Sequence, residues 1–273
     1  AQAYKKLASF RPKIGYPQTW RDYSKVDIKA GDLVTSMVAL RRFHLDDQNA
    51  RLNRPTDKDE WFMTPHRVNA YYNSSFNEIV FPAAILQPPF FDVNADPAVN
   101  YGAIGGVIGH EMGHGFDDQG SKSDHAGIQR NWWTEEDRKR FEERTSALGK
   151  QFDGYCPLEG HCVNGKLAMG ENIGDLGGLS MAYTAYKLSL DGKEAPVIDG
   201  LTGDQRFFLA WAQIWKSKYR DEAMINQVKV GPHSPPQYRI NGPLRNLNEW
   251  YQAFDVKPGD ALYLKPEERV RIW

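Results

Sequence analysis

Cysteine is scarce: Cys156 and Cys162 are the only two in 273 residues, and no second cluster of Cys or His stands beside them to complete a structural zinc site. Long apolar runs are missing as well. The longest stretches without a charged side chain, residues 79–91 and 97–110, fall short of the ~18 to 20 residues that a membrane span needs. Pro82, Pro88 and Pro89 break up the first of them, so no membrane span is expected. Neither sign of charge is in excess, with 34 Lys plus Arg against 35 Asp plus Glu and a formal net charge of −1. That leaves no polyanion-binding footprint, and nucleic acid is not an expected partner. There is no internal repeat, low-complexity tract or long linker. The opening residues, Ala1 to Lys6, lead into no apolar run with a small-residue cleavage site, so they are not read as a signal peptide; any targeting segment would lie outside the chain.

What is present is an ordinary globular balance, 41% hydrophobic and 25% charged, long enough for one large domain or two modest ones around a real core. Helical signals dominate. Asp96-Pro97 predicts a helix start with a capping Asp and a first-turn Pro, running through Tyr101, Ile104 and Ile108 to about Phe116. A second helix is expected from Thr134, with Glu135, Glu136 and Asp137 in its first turn, to about Gly149. Others are expected over about 170–190, about 202–219 and 248–254. Strand signal is sparse and confined to 69–73 and 77–82. The fold class is therefore mainly α with a small β-sheet, an α+β arrangement. The loop from Gly154 to Cys162 suits a local disulfide, which would indicate an oxidising compartment; two free thiols, or a metal site that recruits His161, are the other readings.

The chemistry concentrates in His110-Glu111-Met112-Gly113-His114. Helical positions four apart share a face, so both imidazoles can ligate one ion while Glu111 handles a bound water. Zinc suits imidazole ligands in a site with one open position. Taken alone, five residues of this pattern also fit a surface helix that happens to carry two histidines. A third ligand is available in Glu171, and Asp175, one turn further on, can hydrogen-bond the far nitrogen of a ligating histidine. The bland reading of that second pair is acidic residues at a helix start. Gly105, Gly106, Gly109, Gly113, Gly174, Gly177 and Gly178 each cost about 0.8 to 1 kcal/mol inside a helix relative to Ala, so their repetition predicts close helix packing around the site.

The chain resembles the neprilysin-like zinc metallopeptidases. The matching stretches are Val68 to Tyr72, Ile79 to Phe91, Asn100 to Gly120, Gly170 to Gly178, His233-Ser234-Pro235 with Arg239, and the terminal Trp273. The resemblance implies a thermolysin-like zincin catalytic lobe with one zinc held by His110, His114 and Glu171. It implies Glu111 as general base, Asp175 as partner of a ligand histidine, and His233 as the histidine that stabilises the transition state. Asn69 and Ala70 resemble the edge segment that hydrogen-bonds the substrate backbone, and Arg239 the arginine that grips a substrate carbonyl. Ile85, Phe90, Val107, Ile214 and Trp215 fall where the family lines the pocket after the scissile bond, with Gly106 at a position where neprilysin is bulkier. Trp132, Trp133, Trp211 and Phe208 are read as core.

Because the family's proteins are much longer, residues 1–273 are expected to be one catalytic domain, the C-terminal portion of a precursor whose N-terminal polypeptide would be a partner. Absence of a cysteine near the C-terminal Arg271-Ile272-Trp273 fits a bacterial member better than an animal ectodomain. The resemblance and the cysteine pair point to a periplasmic or secreted location, although cytoplasmic bacterial relatives exist. The expected activity is zinc-dependent hydrolysis of short peptides on the amino side of hydrophobic residues, with Glu111 taking a proton from a zinc-activated water. The competing expectations are a peptide-binding module with a structural zinc, and a fragment inactive until paired with its N-terminal region.

Overall fold

The computed structural model describes residues 1–273. In chain order its elements are α1 (Gln2–Ala8), β1 (Arg11–Gly15), α2 (Leu33–Arg51), β2 (Tyr71–Asn73), β3 (Glu78–Pro82), α3 (Pro97–Asn100), α4 (Gly106–His114), α5 (Glu135–Asp153), α6 (Met169–Ser189), α7 (Gly203–Ile214), α8 (Asp221–Val230), α9 (Pro236–Leu244) and α10 (Asn248–Phe254). The protein is mainly α with a small sheet. No helix is long and apolar enough to cross a membrane.

The chain divides into two compact units, one of residues 1–15 and 65–273 and the other of residues 16–64. The smaller unit is built on α2, whose N-cap Asp32 accepts from the amide of Thr35 at 3.0 Å. Near the other end of α2, Arg51 clamps Asp47 and Glu60 at 2.6 and 2.5 Å.

In the larger unit the sheet has the order β1-β3-β2, with β1 parallel to β3 (Arg11 opposite Glu78) and β2 antiparallel to it (Tyr71 opposite Val80). The central strand β3 is buried along its whole length. Its partner β1 carries Pro12, which a position at the sheet's edge tolerates.

The helix expected from Asp96 to Phe116 is a rod in three parts: α3, a π-helical turn over Tyr101–Gly105, and α4, which ends at His114. Asp96 does not cap it with its side chain. That carboxylate instead pairs with Arg206 of α7 at 2.8 Å. Thr134 does cap α5, accepting from Asp137 at 3.1 Å, and Thr202 with Gln205 forms a capping box on α7.

The helices α4 and α6 pack backbone to backbone. A Cβ on Gly109 would lie 2.5 Å from the carbonyl oxygen of Gly178, and one on Gly113 would lie 3.3 Å from Cα of Gly174. Since the earlier glycine of one helix meets the later glycine of the other, the two run antiparallel. The core beneath them includes Ile173, Leu179, Phe207 and Trp211. Trp273 stacks on Phe141 with ring centres 5.5 Å apart.

Candidate metal centre

The antiparallel contact between α4 and α6 sets histidines against carboxylates. Nε2 of His110 lies 3.3 Å from Oε2 of Glu171, and Nε2 of His114 lies 3.6 Å from Oε1 of the same residue. One ligand atom from each of the three falls within 4.8 Å of the others. The opposite ring nitrogens are already engaged: Nδ1 of His110 meets Oδ1 of Asp175 at 2.8 Å, and Nδ1 of His114 meets Oδ2 of Asp117 at 2.7 Å. A carboxylate accepts only, so each Nδ1 carries a proton, which leaves each Nε2 as the nitrogen that would ligate an ion, its own proton being displaced when the ion binds.

Charge follows the same plan. Burial drives the His110 pKa down, but hydrogen bonds to Asp175 and Glu171 outweigh it and lift the pKa to about 10. Burial would raise Glu171 and Asp175, yet both are held below the usual carboxylate range, Glu171 by His110 and Arg239 and Asp175 by Arg239 and His110. Two ionised carboxylates thus face two imidazoles in a buried site, an arrangement that favours a cation. Glu111, beside His110 on α4, is buried, and its Oε2 has no hydrogen-bond partner. Burial pushes its carboxyl upward against the pull of His110 and His114.

Arg239, on α9, is buried and closes the arrangement. Its Nε and Nη2 donate to Oδ2 and Oδ1 of Asp175, both at 2.7 Å, Nη2 stands 3.3 Å from Glu171, and Cζ sits 3.9 Å over the ring of Trp215. His233, on the loop before α9, places Nε2 3.2 Å from Oε2 of Glu171. Its side chain is 48% exposed, so it stands at the rim.

His110, Glu111, His114, Glu171, His233 and Arg239 line an open cleft of about 260 Å³. Asn69 and Ala70 lead along one side into the edge strand β2, with Tyr71 and Tyr72 beyond them, while Ile85, Phe90, Val107 and Trp215 supply apolar surface. Asp175 lies behind the cleft, in contact with His110. Ile214 does not line it and is half-buried against the core. The cleft side of α7 is taken by Trp211, which is core, as its sequence position predicts, and fully buried, yet also borders the cleft. Phe208 is core, whereas Trp132 and Trp133 are half-buried. Sequence reasoning missed Asp117. An acidic residue three positions after a ligand histidine was the available signal.

Comparison with known proteins gives this geometry a lineage. The profile of peptidase family M13 matches residues 69–270. The chain belongs to peptidase family M13. Human neprilysin is 37% identical over 286 residues, which cover 100% of this chain and 38% of that protein. The neutral endopeptidase of Lactococcus lactis is 38% identical over 273 residues, covering 100% of this chain and 42% of that protein. The crystal structure of a Mycobacterium tuberculosis zinc metalloprotease in complex with an inhibitor superposes with a TM-score of 0.98 at 56% identity, covering 100% of this chain and 42% of that one. The chain therefore spans about two fifths of the length of these M13 relatives.

The residues fit the zinc that M13 membership implies. Two imidazole nitrogens and a carboxylate oxygen form a borderline-soft donor set suited to zinc, and a protein that leaves the fourth position open is typical of a catalytic rather than a structural ion. The cysteines offer no competing site, because Cys156 and Cys162 are joined to each other.

Proposed function

We propose that this chain is the catalytic domain of a longer zinc-dependent endopeptidase that cleaves short peptides on the amino side of hydrophobic residues. The observation that carries the reading is the convergence of His110, His114 and Glu171 beside a buried Glu111 carboxylate whose Oε2 is unpartnered. His110, His114 and Glu171 would hold the zinc, with Asp175 and Asp117 orienting the imidazoles. Bound there, zinc supplies Lewis acidity, lowering the pKa of water and polarising a carbonyl.

The chain's own groups do the rest. Glu111 takes a proton from the attacking water and passes it to the departing amine nitrogen. His233 donates to the oxygen on which negative charge develops, an interaction worth about 2.7 to 4 kcal/mol per donor in another protease. Arg239 holds a substrate carbonyl while it keeps Asp175 in place. Asn69 and Ala70 hydrogen-bond the backbone of an extended peptide laid along the edge of β2. The side chain after the scissile bond enters the apolar region of Ile85, Phe90, Val107 and Trp215. Its size is limited by Trp211, against which a side chain at position 106 would collide, since a Cβ on Gly106 would come within 2.7 Å of that ring.

The natural partner is the N-terminal polypeptide that the longer relatives carry, and the disulfide supports a location outside the cytoplasm. The deciding test is Glu111→Gln, assayed with a quenched fluorogenic peptide on the chain alone and together with that N-terminal polypeptide. The variant is expected to keep one zinc and to lose turnover by about a hundredfold or more. Robust cleavage by it would reject the assignment.

A further inference from the structure

Lys6, in α1, is only 1% exposed, and lysine is almost never fully buried unless it is paired. Its Nζ donates to the carbonyls of Gly120 and Ser123, both at 2.7 Å, in a space walled by the rings of Tyr72, Phe116 and Trp132 at 5.7, 5.6 and 5.8 Å. Burial pulls its pKa down to about 8 against the attraction of Asp117 and Asp124, so the ammonium stays mostly charged at neutral pH.

Gly120 joins this lysine to the metal centre. Its amide donates to Oδ1 of Asp117 at 2.7 Å, and the other oxygen of that carboxylate holds Nδ1 of His114, also at 2.7 Å. The glycine is pressed against the end of α4 so closely that a Cβ there would fall 1.8 Å from the carbonyl oxygen of His114. Three hydrogen bonds therefore run from Lys6 through Gly120 and Asp117 to His114. A second tie reaches the cleft wall: Tyr72 donates to Asn77 at 2.9 Å, and Asn77 donates to the carbonyl of Lys6 at 3.0 Å.

We propose that Lys6 is a positioning residue for the metal centre: by gripping the Gly120 carbonyl it fixes the Asp117 carboxylate and, through it, the orientation of the His114 imidazole. The claim rests on the reading of His114 as a zinc ligand. An inert, merely space-filling lysine is the rival.

Lys6→Met keeps the stem and removes the donors and the charge, and Lys6→Gln serves if the first variant fails to fold. Leu148→Ala, a truncation in the buried core of α5, is the control for general destabilisation. Two readouts are compared. In the metal-free chain, amide exchange over residues 117–123 is expected to rise about tenfold in the Lys6 variant and to stay at the parental rate in the control. In the zinc-loaded chain, loss of metal to a chelator is expected to be about tenfold faster in the Lys6 variant, and Lys6→Met is expected to add nothing in an Asp117→Asn background. Unchanged exchange over 117–123, zinc loss no faster than in a control of equal stability, or additive effects in the double variant would overturn the proposal. A parent chain that takes up no zinc would overturn the reading of His114 as a ligand, and the exchange measurement, made without metal, distinguishes that failure from this one.

Discussion

Oδ1 of Asp175 lies 2.8 Å from Nδ1 of His110. Both oxygens of the same carboxylate also accept from Arg239 at 2.7 Å. One buried acid thus sets the tautomer of an imidazole and neutralises a buried guanidinium. Asp175→Asn is expected to weaken zinc affinity by about 10- to 100-fold, measured by competition with a chromophoric chelator. It should also lower the melting temperature, since breaking a buried ion pair costs about 3–5 kcal/mol. Zinc affinity equal to the parent's would show that the carboxylate does not act through His110.

Gly109→Ala tests the helix contact that aligns the donors. The added carbon would fall 2.5 Å from a backbone oxygen of Gly178, and backbone cannot swing aside as a long side chain can. The expected outcome is a loss of about 1–3 kcal/mol in denaturant unfolding, together with weaker zinc binding. Gly113→Ala, whose added carbon would stand 3.3 Å from Gly174, should be milder on both counts. Equal effects at the two positions would argue against this packing account.

The centre was legible because its signals are local. His110 and His114 share a helix face by period alone, as do Glu171 and Asp175, and the small residues at 109, 113, 174 and 178 announce a close crossing. Asp117 was missed because only the folded turn after α4 carries its oxygen back to His114. Ile214 was misplaced because neighbouring positions at the end of α7 differ by only a fraction of a helical turn, and Trp211 fills the cleft side. The strand β1 was invisible for another reason: it pairs in parallel with β3, more than 60 residues away, and its sequence holds a proline. Helix α2 shows no clear apolar stripe, with Leu33, Val34, Val38 and Leu45 all exposed. Pro243 inside α9 hid that helix as well.

Acid should expose the contribution of Asp124. Its carboxyl is held down to about 2 by Arg130 foremost, with burial opposing and the amides of Ala126 and Ile128 assisting. The unfolded chain, with an ordinary aspartate near ~3.9, takes up this proton more readily than the folded one. The stability Asp124 contributes is therefore complete above about pH 4 and is lost as pH falls through about 2. Asp124→Asn is expected to be less stable than the parent at neutral pH in urea unfolding, and the two should converge toward pH 2. A constant difference across that window would mean that the ionised carboxylate is not the source.

The most direct test of the central claim is anomalous scattering at the zinc edge from crystals of the zinc-loaded protein. The account predicts a single peak bounded by Nε2 of His110, Nε2 of His114 and the carboxylate of Glu171, with no fourth protein ligand. A peak elsewhere, no peak, or a fourth side chain closing the site would contradict it.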